Sequence, residues 1–379
     1  MNTRREWLKT TLAMAAGLPL GAGLSNQLMA APMSQAERVF FGVNPLLPPM
    51  KIRLGSNENP YGPSEKARQA IQQTLSEANR YPFQVVNEFK ETLAAHEGVT
   101  VDHVLIGAGS GDLLCATGAA FSLEGGRILS GFPTFPMLMN YAEVFKATWD
   151  KVNMNDQLAY DYDAVARQLK DDTRLVFICN PNNPTGTLVD SAVVKAFTEE
   201  ISKKVPVFSD EAYIEFLDPA NQVSMVDLVK KGSNVIVSRT FSKIYGLAGL
   251  RIGYIIAKPE IIRKIQKNHP GIPNNQLAIA AAKASLGDTA FMDMSRKKNA
   301  EARKILTDYL DKKGYFYGKS VTNFVMFDPK ADAQGKLSQL AQQGIAIRVW
   351  DYKGMQWLRV SIGTADEMKT FVKAYDQLA

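Results

Sequence analysis

Residues 175–186 read Leu175-Val176-Phe177-Ile178-Cys179-Asn180-Pro181-Asn182-Asn183-Pro184-Thr185-Gly186. A short apolar run runs straight into turn signals, the pattern of a buried strand. Two prolines and a glycine make the turn rigid, and it holds the Asn183 side chain as a preset donor. Outward from this stretch the same unit recurs. Apolar runs at 104–106, 127–129, 205–209, 235–238 and 252–257 alternate with helical stretches. A helical pattern at 64–78 is opened by the start signals Pro63 and Ser64. This alternation predicts an α/β domain with a mostly parallel sheet covered on both faces. Function in such sheets gathers in loops at the carboxyl ends of strands. A charged helical stretch, 289–313, is stopped by Gly314 and leads to a smaller α+β unit. Its strand candidates are 324–328, 346–350 and 357–362.

Composition excludes other classes. The 379 residues are 46% hydrophobic and 22% charged, ordinary globular usage that argues against a disordered, collagen-like or polytopic membrane chain. The net charge of +6 comes from bases interleaved with acids, with no run of five Lys or Arg. That is a solvated surface, and no nucleic-acid partner is expected. The two cysteines, Cys115 and Cys179, lack a C-x-x-C partner, and His96, His103 and His269 form no spaced cluster. No metal is expected. The thiols read as buried and free, with a single disulfide left open.

The chain opens with Arg4 and Arg5, a weakly hydrophobic stretch at 10–24, and small residues at Ala30 and Ala31. This layout predicts an export signal over 1–30. Arg4-Arg5-Glu6-Trp7-Leu8-Lys9 resembles the twin-arginine (Tat) pattern, which implies a periplasmic or secreted protein. The apolar stretch is too short and too rich in Gly and Ala for a stable membrane span.

Four segments stand at the ends of apparent strands. The first is Gly107-Ala108-Gly109-Ser110-Gly111-Asp112, where glycines let backbone N–H groups approach a phosphate at a helix N-terminus; alone, it reads equally as a plain turn. The second is the turn bearing Asn183. In the third, Ser209-Asp210-Glu211-Ala212-Tyr213, a strand delivers Asp210 to the sheet edge. A carboxylate there can pair with a ring nitrogen, and Tyr213 can reach the same ligand. The fourth runs from Ser238 to Arg251. Desolvation and nearby cations would lower the pKa of Lys243 and free its amine to attack a carbonyl, while Thr240, Ser242 and Arg251 could bind a phosphate dianion. Alone, such a lysine is usually a surface charge.

Together these segments resemble the pyridoxal-phosphate aminotransferases of the aspartate aminotransferase fold, and within them the histidinol-phosphate aminotransferase family. Asn57-Glu58-Asn59-Pro60-Tyr61, Arg80-Tyr81-Pro82 and Leu358-Arg359-Val360 extend the likeness along nearly the whole chain. The resemblance implies a seven-stranded sheet in a large domain at 59–287. It also implies a small domain at 288–379, joined by an N-terminal segment at 31–58. Lys243 would hold pyridoxal phosphate and move the substrate's proton. Asp210 would pair with the ring nitrogen, and Asn183 and Tyr213 would bond the ring oxygen. Phe135 would stack on the ring. Backbone of Ser110 and Gly111, with Thr240, Ser242 and Arg251, would hold the phosphate. Tyr81 would reach that phosphate from a partner subunit, making a homodimer obligatory. Arg359 would grip the substrate carboxylate, with Tyr61 and Arg348 on the substrate side. Gly111 stands where relatives carry a polar side chain, so the cup there would be backbone alone.

The implied reaction moves an amino group between an L-amino acid, aromatic or histidinol-phosphate-like, and a 2-oxo acid. A β-lyase or a decarboxylase would use the same cofactor and break a different bond. A non-catalytic cofactor binder is the reading from another class, and the intact Lys243 and Arg359 speak against it.

Overall fold

The computed structural model describes residues 49–271 and 274–378. The export segment 1–30, with Arg4 and Arg5, and residues 31–48 lie outside the described residues. The strands in chain order are β1 (Ile52–Arg53), β2 (Val104–Gly107), β3 (Gly126–Phe132), β4 (Ala147–Asn153), β5 (Thr173–Cys179) and β6 (Val207–Asp210). They continue with β7 (Val235–Thr240), β8 (Gly253–Ala257), β9 (Phe324–Phe327), β10 (Ile345–Ala346), β11 (Arg348–Tyr352) and β12 (Met355–Ser361).

Seven of them form one sheet in the order β2-β8-β7-β6-β5-β3-β4. From β4 through β7 every pairing is parallel. Only β8 runs against its neighbours, antiparallel to both β2 and β7. The unbroken apolar runs follow from burial on both faces. On β5, Val176 and Ile178 enter one core cluster while Leu175, Phe177 and Cys179 enter the other. On β7, Val235 and Val237 oppose Ile236 in the same way.

Among the described residues, β4 has no counterpart in the apolar runs of the sequence. It is an edge strand with Asp150 and Lys151 in its middle, and Asp150 pairs with Arg127 at 2.8 Å and Lys170 at 3.0 Å. Edge strands carry charge because one side meets water, which hides them from a search for apolar runs.

In the smaller part, β9, β12 and β11 form an antiparallel sheet. The expected strand at 346–350 is divided. Ile345–Ala346 pairs in parallel with β1, whereas Arg348–Tyr352 pairs with β12, so the chain changes partners at the buried Ile347. Leu54, Leu306, Val325, Leu358 and Phe371 build a core of their own here. The helical pattern at 64–78 resolves into an α-helix, Glu65–Thr74, and a 3₁₀ turn, Leu75–Glu77. The Ser64 hydroxyl caps the helix by accepting Ala67 N–H at 3.2 Å. The long helix spans Thr289–Lys312, and Gly314 follows at φ 65°.

Both cysteines are free. Cys179 is fully buried, but Cys115 is only half-buried, against the expectation of two buried thiols. Among the described residues no helix is long and apolar enough to cross a membrane, and no group of three or more His, Cys, Asp or Glu is placed to hold a metal ion.

Candidate functional site

The parallel strands β5 and β6 end level with one another, and β7 runs two residues further. Cys179 of β5 is in register with Asp210 of β6, and Asp210 with Ser238 of β7. The segments that follow therefore leave the sheet at one edge.

In the turn after β5, three asparagines divide the work. Asn180 Oδ1 accepts Val189 N–H at 2.9 Å, and Asn182 Nδ2 donates to Pro133 O at 3.0 Å and Thr185 Oγ1 at 2.9 Å. Those bonds brace the turn against the loop that carries the half-buried Phe135. Asn183 Oδ1 accepts from Arg359 Nη1 at 2.7 Å. A guanidinium can only donate, so Nδ2 is left as the amide's donor.

Asp210 is 3% exposed and accepts one backbone hydrogen bond, from Ala212 N–H at 3.2 Å. Burial pushes its carboxyl up to about 7, against that bond and the Lys243 charge, which favour the ionised form. Lys243 Nζ donates to Ser56 O at 3.3 Å and stands 5.7 Å from the Tyr213 ring. Burial, with Arg359 and Arg348 adding like charge, lowers its ammonium to about 7. Such an amine is substantially neutral at physiological pH.

Arg359 of β12 is 3% exposed. Besides Asn183 it bonds Gly55 O through Nη2 at 2.6 Å, and its Nε has no acceptor. No carboxylate among the described residues forms an ion pair with it, and its guanidinium carbon lies 5.3 Å from the Phe324 ring centroid. Burial lowers its pKa to about 9, with Arg348 adding like charge and Tyr213 opposing. Arg348 sits directly across from it in the β11–β12 register.

The residues expected to form a phosphate cup come together from distant pieces of the chain. Gly109, at φ 80°, caps the helix Ser110–Ala120. A Cβ on Gly109 would lie 2.6 Å from Arg251 Nη2, and one on Gly253 would lie 2.6 Å from Ser110 N. At Gly111 a Cβ would meet Met137 Sδ at 2.8 Å, a packing reason for the missing side chain. Thr240 Oγ1 accepts Ser242 N–H at 3.1 Å, and both residues are buried. Arg251 Nη2 reaches Ala108 O at 3.3 Å.

Two tyrosines stand apart from this cluster within the chain. Tyr61 lies under Lys298 Nζ, 4.6 Å from its ring, and lines a small cavity with Asn59, Ser295, Asn299 and Asn323. Tyr81 is 79% exposed beside the Phe83 ring.

Several participants were given no role by the sequence reading, although Asn57, Asp112 and Arg239 lie inside its motifs. Gly55, Ser56 and Asn57 form a strap that meets Arg359, Lys243 and Tyr213 in turn, Asn57 Nδ2 donating to Tyr213 OH at 2.9 Å. Arg239 pairs with Glu211 at 3.0 Å and Glu215 at 3.2 Å, tying the loop after Asp210 to β7. His269 Nε2 lies 2.7 Å from Asp112 Oδ2, which also accepts Ala108 N–H at 2.9 Å. Asn57 takes left-handed backbone at φ 54°, a conformation asparagine tolerates, and the sequence signal that could have found it is its place at the head of Asn57-Glu58-Asn59-Pro60-Tyr61.

The donor set fits pyridoxal phosphate. A buried carboxylate without a hydrogen-bonded cation suits a protonated ring nitrogen. A glycine cup over a helix N-terminus with an adjacent guanidinium suits a phosphate, and a neutral lysine amine suits a carbonyl.

The class I and II aminotransferase family matches residues 49–374. The histidinol-phosphate aminotransferase of Moorella thermoacetica is 38% identical over 329 residues, covering 86% of this chain and 85% of that protein. Histidinol-phosphate aminotransferase 1 of Cupriavidus pinatubonensis is 38% identical over 331 residues, covering 86% and 88%. In fold, the chain is similar to the crystal structure of histidinol-phosphate aminotransferase from Sinorhizobium meliloti in complex with pyridoxal-5'-phosphate. The TM-score is 0.83 at 24% identity, covering 96% of this chain and all of that one. With the lysine, the carboxylate and the glycine cup gathered at one sheet edge, the chain belongs to the class I and II aminotransferases and is a pyridoxal-phosphate-dependent transaminase.

Proposed function

We propose that this transaminase acts on carboxylate-bearing substrates, an L-amino acid and a 2-oxo acid, with Arg359 as the carboxylate anchor. The carrying observation is a buried guanidinium bonded only to neutral oxygens, with Nε unpartnered. A buried charge without a counterion is costly, and a substrate carboxylate supplies one. The side of Arg359 that faces Asn183 is held in place, so the carboxylate meets a fixed guanidinium.

Pyridoxal phosphate, when bound, supplies a conjugated ring that accepts the electron pair released at the substrate's α-carbon. The chain's residues do the rest. The Lys243 amine takes and returns the α-proton. Asp210 keeps the ring nitrogen protonated. Asn183 and Tyr213 donate toward the ring oxygen, and Phe135 covers the ring face. Ser110, Gly111, Thr240, Ser242 and Arg251 hold the phosphate, with Tyr81 of a partner subunit completing the cup. Tyr61 and Arg348 line the substrate side. An aromatic amino acid is the donor that a carboxylate anchor suits best. The relatives' names point to the other candidate, a histidinol-phosphate-like donor, which carries a phosphate and no carboxylate, so that Arg359 would then grip the carboxylate of the 2-oxo acid alone. The residues at 1–30 support export by the twin-arginine route and a periplasmic location.

Kinetics of Arg359→Lys test the anchor. A lysine keeps the charge and loses the planar fork. For amino acids kcat/KM should fall roughly 10²-fold, about 2.7 kcal/mol, while amines without a carboxylate change little. Equal losses for both would remove Arg359 from the substrate. Release of CO₂ would mark a decarboxylase, and release of free ammonia together with pyruvate, with no amino group passed to an acceptor, would mark a β-lyase. Borohydride reduction of the loaded enzyme should label Lys243, and a label elsewhere would overturn the site.

A further inference from the structure

Behind Tyr213 lies a hydrogen-bonded chain whose direction can be worked out atom by atom. Asn57 N–H donates to Ser361 Oγ at 2.8 Å, Ser361 O–H donates to Asn57 Oδ1 at 2.8 Å, and Asn57 Nδ2 donates to Tyr213 OH at 2.9 Å. All three residues are 3% exposed or less. Asn323 Nδ2 holds the Asn57 carbonyl at 3.0 Å.

The backbone N–H can only donate, so Ser361 Oγ is an acceptor on that side and has one proton to place. Asn57 Oδ1 is where it goes. Turning the amide over would leave that buried hydroxyl proton without an acceptor, which is unfavourable. The hydroxyl of Ser361 thus fixes which end of Asn57 faces Tyr213. Because the facing end is an N–H, the Tyr213 oxygen accepts there, and its own proton must point elsewhere. With the amide reversed, Oδ1 would take the Tyr213 proton instead.

We infer that Ser361 and Asn57 are positioning residues that keep Tyr213 a hydrogen-bond donor toward the cofactor's ring oxygen. Ser361 lies two residues beyond Arg359 on β12. The strand that carries the substrate anchor thereby also sets the polarity of a group on the cofactor side. The inference rests on the placement of Tyr213 at the ring oxygen under the proposed function.

The readout is the pH midpoint of the bound cofactor's absorbance, measured on the loaded full chain. A donor at the ring oxygen draws charge from it and weakens its hold on the neighbouring titrating proton, so losing the donor raises the midpoint. Ser361→Ala frees the amide to turn. Asn57→Gly removes the amide while keeping a residue that accepts φ 54°. Each should raise the midpoint by about 0.5 to 1 pH unit, and Ser361→Thr, which keeps the hydroxyl, should restore it. In a Tyr213→Phe background neither substitution should move it further.

Three outcomes overturn the relay. Ser361→Ala and Asn57→Gly could both titrate like the wild type while Tyr213→Phe shifts, in which case the relay fails and the site reading stands. They could shift the midpoint equally with Phe at 213, which places their effect outside Tyr213. Tyr213→Phe could itself leave the midpoint unmoved, in which case the assignment of Tyr213 to the ring oxygen falls and the relay falls with it.

Discussion

Burial disfavours the charged forms of both Asp210 and Lys243 and brings each to about 7. Burial raises Asp210 to about 7, so the folded chain favours the protonated carboxyl. Its contribution to the stability of the cofactor-free protein is complete below about pH 4 and is lost as pH rises through 7. Lys243 is depressed to about 7, so its contribution is present above about pH 10 and is lost as pH falls through 7. At pH 8 the uncompensated charge is therefore mainly that of Asp210. Cofactor-free Asp210→Asn should melt several degrees above cofactor-free wild type at pH 8, with the gap closing toward pH 4. With cofactor present the order should reverse, because a ligand stabilises only in proportion to its preference for the folded form. Turnover of Asp210→Asn should fall by orders of magnitude, as expected for loss of a preorganised charge. Calorimetry with and without cofactor reads the first effect, and a wild-type rate in the variant would take the carboxylate away from the ring nitrogen.

At the scale of elements, the proposed phosphate cup depends on how closely the Gly109 turn and its neighbours approach. The helix Ser110–Ala120 begins where Gly109 turns at φ 80°, and Arg251, itself at φ 57°, lays its guanidinium against that turn. His269 and Asn274 hold the same loop from behind, Asn274 Nδ2 donating to Gly107 O at 2.8 Å. Gly109→Ala is wrong twice, since its φ disfavours a side chain and its Cβ would sit 2.6 Å from Arg251 Nη2. The expected result is a loss of cofactor affinity of tenfold or more, with only a modest fall in the melting temperature of the cofactor-free protein. Titration of that protein by absorbance checks this, and unchanged affinity would place the phosphate elsewhere.

At the scale of the whole molecule stand the proposed dimer and the proposed export. Tyr81 and Phe83, 79% and 62% exposed, present two large rings to solvent. If Tyr81 completes a partner's cup, Tyr81→Ala and Lys243→Ala homodimers should each be impaired. Mixed dimers should then regain one intact site per pair and about a quarter to a half of wild-type activity, by subunit statistics. Sedimentation sets the oligomeric state, and no recovery on mixing would deny a shared site. For export, replacing Arg4 and Arg5 together by lysine should leave precursor in the cytoplasm; continued export would point to the general secretory route.

The sequence alone determined the α/β alternation, the strand-end placement of Asp210, the Asn183 turn, the glycine cup and the Lys243 loop. Each is written in a few neighbouring residues whose backbone preferences and apolar pattern act locally. Apolar runs could not reveal β4, whose charges mark a strand with one side in water, or the break at Ile347, where one buried residue lets the chain pass between two sheets. Tertiary structure alone decided the contacts that give the site its charge balance and direction. Arg359 meets Asn183 across 176 residues and Gly55 across 304, and Ser361 meets Asn57 across 304. No local preference encodes such a bond. It exists only after the small sheet has brought β12 against the strap at 55–57, where burial turns ordinary hydrogen-bonding groups into fixed donors and acceptors.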